Sequence, residues 1–321
     1  MQTFDDPTRQ NPLCNAIYRY KGQPIQALHE FIDESYETIR QVNLNKNRVT
    51  GYPTGFIDLD HMLSGLQPGS LTVLASRPSM GKSALALNIL QNLSLNNTIP
   101  TAIFSMELSK EQLGIRLLTA TARADSGRVR AGQLTEADLL NLDDAKELLR
   151  RSCIYIDDTS GISITELLAK VIRLKVDHNI QMIVIDSLQL MRDDSRSALT
   201  PVEISRISSS LKVLARELEI AVIVLSQLNS SVEKRKARKR CPRLSDLGNT
   251  GSLEDDADVI LFLHREAVYC KHCRRRDGSC VHNHERTAEI IIAKNKNGPI
   301  GTVYLDFYGE TMRFENPSWT E

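Results

Sequence analysis

Short apolar runs alternate with segments of helical periodicity along most of the chain, and this alternation constrains the fold more than any other feature. The runs lie at 71–76, 101–105, 153–157, 182–186 and 221–226. Strands that are apolar on both faces and connected through helices form a parallel sheet that helices cover on both sides. After Asp258 the chain becomes strand-rich. We therefore predict an α/β fold with a central, mostly parallel sheet.

Composition narrows the class of protein. A chain of 321 residues can form one large domain with appendages, and its 40 Lys and Arg balance 40 Asp and Glu. Any contact with nucleic acid must therefore come from a local concentration of positive charge. The N-terminus lacks the pattern of a signal peptide, and no apolar run approaches the ~18–20 residues that span a bilayer. We expect a soluble, cytoplasmic protein that does not interact with membranes.

A phosphate-binding loop is indicated between the first strand and the helix that follows it. In such a loop the backbone N–H groups converge on phosphate oxygens at the positive end of a helix. Lys82 is expected to reach the β- and γ-phosphates of ATP, and the hydroxyl of Ser83 to bind Mg²⁺. Ser76 stands where the usual pattern has its first glycine. The predicted loop consists of Ser76, Arg77, Pro78, Ser79, Met80, Gly81, Lys82 and Ser83.

Three polar residues follow or end other predicted strands. Asp186 ends the run MIVID, Glu107 comes shortly after TAIFS, and Gln227 follows AVIVLS. Ligands of open α/β sheets collect at the carboxyl ends of the strands. We expect Asp186 to hold a water of the Mg²⁺ shell, Glu107 to activate the attacking water, and Gln227 to sense the γ-phosphate.

These pieces resemble the C-terminal ATPase domain of DnaB-type replicative helicases over roughly residues 50–316. The resemblance implies a RecA-like fold, a homo-hexameric ring with ATP sites between subunits, and 5′-to-3′ movement on single-stranded DNA. It also implies a bacterial, phage or plasmid replication context, with a helicase loader as a candidate partner. The matching stretches include TGFIDLDHMLSGLQPGSL, ASRPSMGKS, FSMELS, IDSLQLMR, GSLEDDADVILFLHRE and AEIIIAKNKNGPIGTVYLDF.

The resemblance also assigns roles to individual residues. Lys82 and Ser83 match the Walker A motif, Asp186 the Walker B acid, Glu107 the catalytic base and Gln227 the switch position. In the segment AKNKNGPIG the family has a lysine, here Lys294, and two residues later an arginine that reaches the neighbouring subunit's site. This chain has Lys296 at the arginine position. Lysine keeps the charge without the planar, two-pronged contact, so we expect a slow motor.

The sequence divides into an N-terminal flexible segment at 1–23, a linker helix with its linker at 24–49, the ATPase domain at 50–316 and a tail at 317–321. Apolar residues from Ile25 to Val42 recur every three or four positions and predict one amphipathic helix. Its apolar stripe either packs on its own domain or docks onto a neighbouring subunit. The segment before the ATPase domain is too short for the family's collar domain, which recruits primase, so we do not expect primase binding.

A basic run follows the fifth strand and includes Lys234, Arg235, Lys236, Arg238, Lys239, Arg240 and Arg243. In the family this region faces the channel, where cations bind DNA phosphates; the alternative is a solvated loop. Gly248 replaces a residue that is usually basic in the family, so one phosphate contact is expected to be lost. With few aromatic residues between the cations, binding should follow the backbone and tolerate any base sequence.

A Cys/His-rich insert at 270–284 interrupts the late strands. Its candidate zinc ligands have the spacing C-x2-C-x6-C-x-H-x-H, and three thiolates with one imidazole would complete a tetrahedral site. The alternative is a loop of reduced thiols, because the family does not need this insert. The candidate ligands are Cys270, Cys273, Cys280, His282 and His284.

Three functions are compatible with these features. The first is an active ring helicase. The second is a regulatory or loading ATPase ring that binds ATP without unwinding DNA; Lys296 and the short N-terminal region favour it, while Lys82, Glu107, Asp186 and Gln227 oppose it. The third is a RecA-type recombinase, which has the same nucleotide chemistry but forms filaments. The order and wording of the matching stretches favour the helicase.

Overall fold

The computed structural model describes residues 27–44, 49–192, 200–235, 240–270, 273 and 284–317. The chain divides into two compact units, residues 1–48 and 49–321. The predicted N-terminal segment 1–23 and residues 318–321 of the predicted tail lie outside the described residues. Among the described helices, none is both long and apolar enough to cross a membrane.

The first unit contains a 3-10 turn at Leu28–Glu30 and helix α1 at Ile32–Leu44. The sequence predicts a helix from Ile25, but α1 begins at Ile32 because Phe31, at φ −129° and ψ 0°, lies outside the helical region. Tyr36 and Ile39 are each 67% exposed. A lone helix of this length is marginal in water, so this apolar stripe still calls for a partner surface.

The second unit contains one mixed sheet, and its described part has nine strands. Their bounds are β1 Leu71–Ser76, β2 Thr101–Ser105, β3 Ile154–Asp157, β4 Met182–Asp186, β5 Ala221–Gln227, β6 Val259–His264, β7 Thr287–Asn295, β8 Gly301–Tyr308 and β9 Arg313–Glu315. Their order across the sheet is β3-β2-β4-β5-β1-β6-β7-β8-β9. Strands β1 to β6 pair in parallel, and β7, β8 and β9 continue the sheet antiparallel. The predicted α/β class with a mostly parallel sheet is confirmed.

Helices connect the strands. In the described part of the second unit their bounds are α2 Ile57–Leu63, α3 Lys82–Asn97, α4 Lys110–Ala122, α5 Ser126–Ala131, α6 Glu136–Arg150, α7 Ile164–His178, α8 Pro201–Leu218 and α9 Gly251–Asp256. Short 3-10 segments lie at Leu188–Leu190, Ser230–Lys234, Leu244–Thr250 and Glu266–Val268.

Two apolar cores lie on opposite faces of the sheet, and the alternation of side chains along each strand separates them. Val184 of β4 belongs to the core that includes residues of α2, α3 and α4. Its neighbour Ile185 belongs to the core that includes residues of α7 and α8. Because both faces are covered, the central strands are apolar at nearly every position, which explains the continuous runs in the sequence.

The strand register brings the predicted polar residues to one edge of the sheet. Ser76 at the end of β1 lies opposite Gln227 at the end of β5. Ser105 at the end of β2 lies opposite Asp186 at the end of β4. Because these strands are parallel, their carboxyl ends meet at the same edge, and the functional site is expected there.

Candidate nucleotide-binding site

Residues 76–83 connect the end of β1 to the start of α3, and their backbone is held in an unusual conformation. Ser79 has φ +65° and Gly81 has φ +98°, both in the left-handed region. A Cβ atom at Gly81 would lie 3.1 Å from Cζ of Phe314. Helix α3 begins at Lys82, and the first N–H groups of a helix have no partner within it. The loop therefore presents backbone donors and a helix dipole suited to an anion.

A cavity of about 630 Å³ opens beside this loop. All eight residues of the predicted loop line it, together with Glu107 and Gln227. The volume falls within the range of small-molecule sites. Its other lining residues are Ala84, Arg116, Arg265, Phe307, Gly309 and Met312.

Lys82 lines the cavity, and the charge of Asp186, which is not among the described lining residues, acts on it. The Lys82 ammonium donates a hydrogen bond of 3.3 Å to the carbonyl oxygen of Ser226. Burial lowers the pKa of Lys82, and the negative charges of Asp186 and Glu107 partly oppose this shift. Asp186 is fully buried, and neither of its carboxylate oxygens has a hydrogen-bond partner among the described residues.

These two groups fit ATP and magnesium. A buried carboxylate without partners is costly, so its natural complement is a cation or the water shell of one. A partly buried ammonium at the start of a helix complements phosphate oxygens in the same way. Ser83 lines the same cavity and supplies a hydroxyl oxygen. The residues present would therefore hold a magnesium-bound nucleotide phosphate.

The structure adds two cations that the sequence analysis missed. Arg265 follows β6 directly, so the strand-end argument that found Asp186 could have found it. Its guanidinium carbon lies 4.0 Å from the centre of the Phe307 ring, and burial lowers its pKa to about 10. Among the described residues, its Nε has no hydrogen-bond partner. Arg116 comes from the middle of α4, where no local signal marks it.

Arg77 joins the phosphate loop to the segment that follows β5. Its Nη1 donates to the carbonyl oxygen of Leu228 at 2.7 Å, and its Nε donates to Oε1 of Glu233 at 2.9 Å. The Arg77 side chain is only 12% exposed. Gln227 immediately precedes Leu228, so the phosphate loop, the end of β5 and the segment after it are in contact through Arg77.

Two cations of the basic run are engaged within the chain. Both Arg235 Nη atoms bind the buried carboxylate of Asp246. The Arg240 guanidinium lies 4.9 Å from the centre of the Tyr269 ring. Arg243 is exposed. The described structure does not extend to Lys236, Arg238 and Lys239, nor to the side chain of Lys234.

Lys294 and Lys296 lie near the end of β7, outside the set of described residues that line this chain's own cavity. The Lys294 ammonium donates to the carbonyl oxygen of Glu254. The Lys296 ammonium lies 3.2 Å from Oδ1 of Asp258. Their predicted action on a neighbouring subunit's site remains a prediction.

Three of the five predicted zinc ligands come together. One ligand atom each of Cys270, Cys273 and His284 lies within 4.8 Å of the other two. Cys280 and His282 lie outside the described residues.

Comparisons with known proteins agree with this geometry. Residues 51–316 match the family model described as the DnaB-like helicase C terminal domain. The chain is 42% identical over 305 residues to the replicative DNA helicase DnaC of Bacillus subtilis (strain 168), covering 95% of this chain and 65% of that protein. It is also 42% identical over 290 residues to the replicative DNA helicase DnaB of Geobacillus stearothermophilus, covering 90% of this chain and 62% of that protein. The chain thus spans less than two thirds of the length of these curated relatives.

Solved structures show the same relationship. One solved ATPase domain superposes with a TM-score of 0.82 at 33% identity, covering 92% of this chain and all of that one. A DnaB-like replicative helicase, solved in a study of its interactions with primase, superposes with a TM-score of 0.80 at 32% identity, covering 95% of this chain and 70% of that one. The predicted RecA-like fold is confirmed. The chain belongs to the family of DnaB-like helicase C-terminal domains.

Proposed function

We propose that this chain is the ATP-hydrolysing motor of a replicative DNA helicase that moves 5′-to-3′ along single-stranded DNA as a homo-hexameric ring. One observation carries the proposal: the partly buried ammonium of Lys82 lines a nucleotide-sized cavity and interacts with the buried carboxylate of Asp186. That carboxylate lies at the same sheet edge and has no hydrogen-bond partner among the described residues. The similar proteins from Bacillus subtilis and Geobacillus stearothermophilus are replicative DNA helicases. A motor of this kind in a bacterial, phage or plasmid context would work in the cytoplasm, where the DNA is.

The site residues divide the work of ATP hydrolysis. Lys82 and the loop N–H groups would hold the phosphates, and Ser83 and Asp186 would hold a magnesium ion. Bound magnesium supplies neutralisation of the phosphate charge. Glu107 is exposed at the sheet edge and lines the cavity, where its carboxylate can accept a proton from the attacking water. Arg116 and Arg265 add positive charge to the lining of the same cavity.

Nucleotide state would reach DNA through Gln227 and the segment after it. Gln227 lines the cavity, and the next residues bind Arg77 of the phosphate loop. The same segment leads into the basic run, whose cations would bind the DNA backbone. In a ring, Lys294 and Lys296 would act on the neighbouring subunit's site, and α1 would dock its apolar stripe on a neighbouring subunit. A helicase loader is a further partner of such a ring; primase binding stays outside the proposal.

The base assignment is tested by Glu107→Gln. We expect ATP turnover to fall by about 10²- to 10⁴-fold, because the amide cannot accept the proton, while the affinity for ATP changes little. The matched control is Glu111→Gln, an exposed acid four residues along the chain that does not line the cavity. Unchanged turnover in Glu107→Gln, or equal losses in both variants, would contradict the assignment.

One observation favours the second candidate, a regulatory or loading ring that binds ATP without unwinding. Lys296 occupies the position of the family's trans arginine and is paired with Asp258 of its own chain. A trans arginine contributes about 10³- to 10⁵-fold to hydrolysis. If the regulatory function is correct, the wild-type rate of ATP hydrolysis is negligible, and Lys296→Arg raises this rate by about 10³- to 10⁵-fold. If the helicase function is correct, wild-type turnover is measurable and the substitution raises it far less.

A further inference from the structure

The insert between β6 and β7 begins and ends at one point of the structure. Cys270 lies at the end of the turn after β6, where its N–H donates to the carbonyl oxygen of Glu266 at 3.0 Å. His284 lies three residues before the start of β7 at Thr287. Cys273, Cys270 and His284 are all at least partly buried. The chain therefore leaves and re-enters the sheet through a cluster of two thiols and an imidazole.

The dimensions of this cluster suit a metal ion. One ligand atom from each of the three residues lies within 4.8 Å of the others. Zinc–sulfur bonds of about 2.3 Å in a tetrahedral site place two sulfurs about 3.8 Å apart. A contraction of at most about one ångström would therefore seat the ion.

The ligand types select the class of metal. Thiolate and imidazole bind zinc and other borderline or soft ions, whereas magnesium and calcium require oxygen ligands. The cluster found among the described residues contains two thiols and one imidazole and no carboxylate. A disulfide between Cys270 and Cys273 would leave the position of His284 unexplained, because a disulfide needs no third group.

We propose that Cys270, Cys273 and His284 bind a zinc ion that closes the base of this insert. The site is structural, because it lies outside the set of described residues that line the nucleotide cavity. Zinc binding does not depend on helicase activity, so its tests measure metal and not turnover.

The ion would fix a neighbouring group of contacts. Tyr269 precedes Cys270, and its ring lies 6.0 Å from the ring of His264 at the end of β6. The Arg240 guanidinium lies over the same tyrosine ring, and Arg240 Nε donates to the carbonyl oxygen of Arg235 at 3.1 Å. Closing the loop at Cys270 would thus hold Tyr269 in place between β6 and the basic run.

Metal analysis tests the proposal directly. The full chain, purified without a polyhistidine tag, is expected to contain about one zinc per molecule by elemental analysis. The double variant Cys270→Ser, Cys273→Ser should lose it. Cys153→Ser and Cys241→Ser are matched controls, because both residues are free cysteines outside the cluster and should leave the zinc content unchanged. Zinc-free wild-type protein, or zinc retained in the double variant, would overturn the proposal.

A second measurement avoids variants that fail to fold. Wild-type protein stripped of metal and titrated with cobalt should develop thiolate-to-cobalt charge transfer and the visible bands of tetrahedral cobalt. Adding zinc should then displace the cobalt and abolish the charge-transfer signal and the visible bands. Removing the metal from wild-type protein should lower its melting temperature. Absence of these bands, or a Cys270–Cys273 disulfide in wild-type protein kept under reducing conditions, would contradict the site.

Discussion

Lys82 is the residue on which the nucleotide site depends most. Its ammonium is partly buried, interacts with the negative charge of Asp186, and donates a hydrogen bond to the carbonyl oxygen of Ser226. Burial disfavours the charged form of a lysine, while phosphate oxygens favour it. Nucleotide binding and the protonation of Lys82 are therefore coupled.

This coupling predicts a pH dependence of ATP affinity. Burial lowers the pKa of Lys82 below its ordinary value of 10.5, so the free site loses its proton as the pH rises through that lowered value. Because phosphate needs the protonated form, ATP affinity should fall as the solution becomes alkaline, at a pH below 10.5. Titrations with a fluorescent ATP analogue at a series of pH values would measure this fall in affinity.

Lys82→Arg is the control for this dependence, since arginine stays charged throughout that range. The variant is expected to bind ATP more weakly, because the guanidinium does not fit the lysine's position, but with an affinity that is flat over the same range of pH. An equal decline in both proteins would assign the effect to another group.

At the scale of single residues, the sequence predicts what is local. Asp186, Glu107 and Gln227 could be found because each follows or ends a recognisable strand and parallel strands end at one edge. Arg265 obeys the same rule and could have been found with them. Arg116 could not, because it reaches the cavity from the middle of a helix, and only the packed structure brings it there.

At the scale of elements, the turn from β1 into α3 depends on Gly81. Its φ of +98° lies in the left-handed region, and an added Cβ would lie 3.1 Å from a ring atom of Phe314. Side chains in that region cost about 1–2 kcal/mol, and the contact adds to this. The glycine is therefore required by backbone conformation and by packing at once.

Gly81→Ala is expected to lower the free energy of unfolding by about 1–3 kcal/mol. Gly114→Ala is the matched control, because Gly114 lies inside α4 with no atom within 4 Å of the added Cβ. Alanine favours a helix, so this control should raise the same free energy by up to about 1 kcal/mol. Chemical denaturation measures the free energy of unfolding of both variants. Equal destabilisation by Gly81→Ala and Gly114→Ala would show that the left-handed backbone at Gly81 is not the cause.

The link between Arg77 and Glu233 connects two elements without stabilising them much. The Glu233 side chain is 46% exposed, and ion pairs in such positions contribute about 0–1 kcal/mol. Its importance would lie in coupling the phosphate loop to the segment after β5. Loss of this ion pair should weaken the coupling between the phosphate loop and the segment after β5 more than it lowers the free energy of unfolding.

Glu233→Gln should therefore reduce the stimulation of ATP hydrolysis by single-stranded DNA, by about fivefold or more, with little change in the DNA-free rate. Glu147→Gln in α6 serves as control, since Glu147 is exposed and its ion pairs lie within its own helix. Steady-state assays with and without single-stranded DNA give the DNA-free rate of ATP hydrolysis and its stimulation by DNA. Stimulation that survives in Glu233→Gln would mean that coupling follows another route.

Element boundaries mark the limit of what periodicity can predict. Helix α8 begins at Pro201 because Thr200 caps it and Pro201 fits its first turn, and such a start can be recognised from the sequence. Helix α1 starts at Ile32, later than the apolar periodicity indicates. Periodicity records which residues share a face, but a 3-10 turn at Leu28–Glu30 preserves nearly the same spacing, so the pattern cannot distinguish the two.

At the scale of the whole molecule, the local sequence pattern predicts the fold, whereas the ring assembly is implied only by the family resemblance. The alternation of strands and helices determines a parallel sheet whose edge carries the nucleotide site. The exposed stripe of α1 and the lysines Lys294 and Lys296 would act in the proposed ring, where each would meet another subunit. Their roles depend on contacts between chains, which no local pattern encodes.

The decisive measurement for a DNA-dependent motor is the rate of ATP hydrolysis by the purified chain with and without single-stranded DNA. We expect a measurable rate that DNA raises by about fivefold or more, because Arg77 and Gln227 line the nucleotide cavity and Arg77 also binds the segment after β5, which is proposed to contact DNA. A rate that is negligible under both conditions, or one that DNA leaves unchanged, would show that the chain is not such a motor.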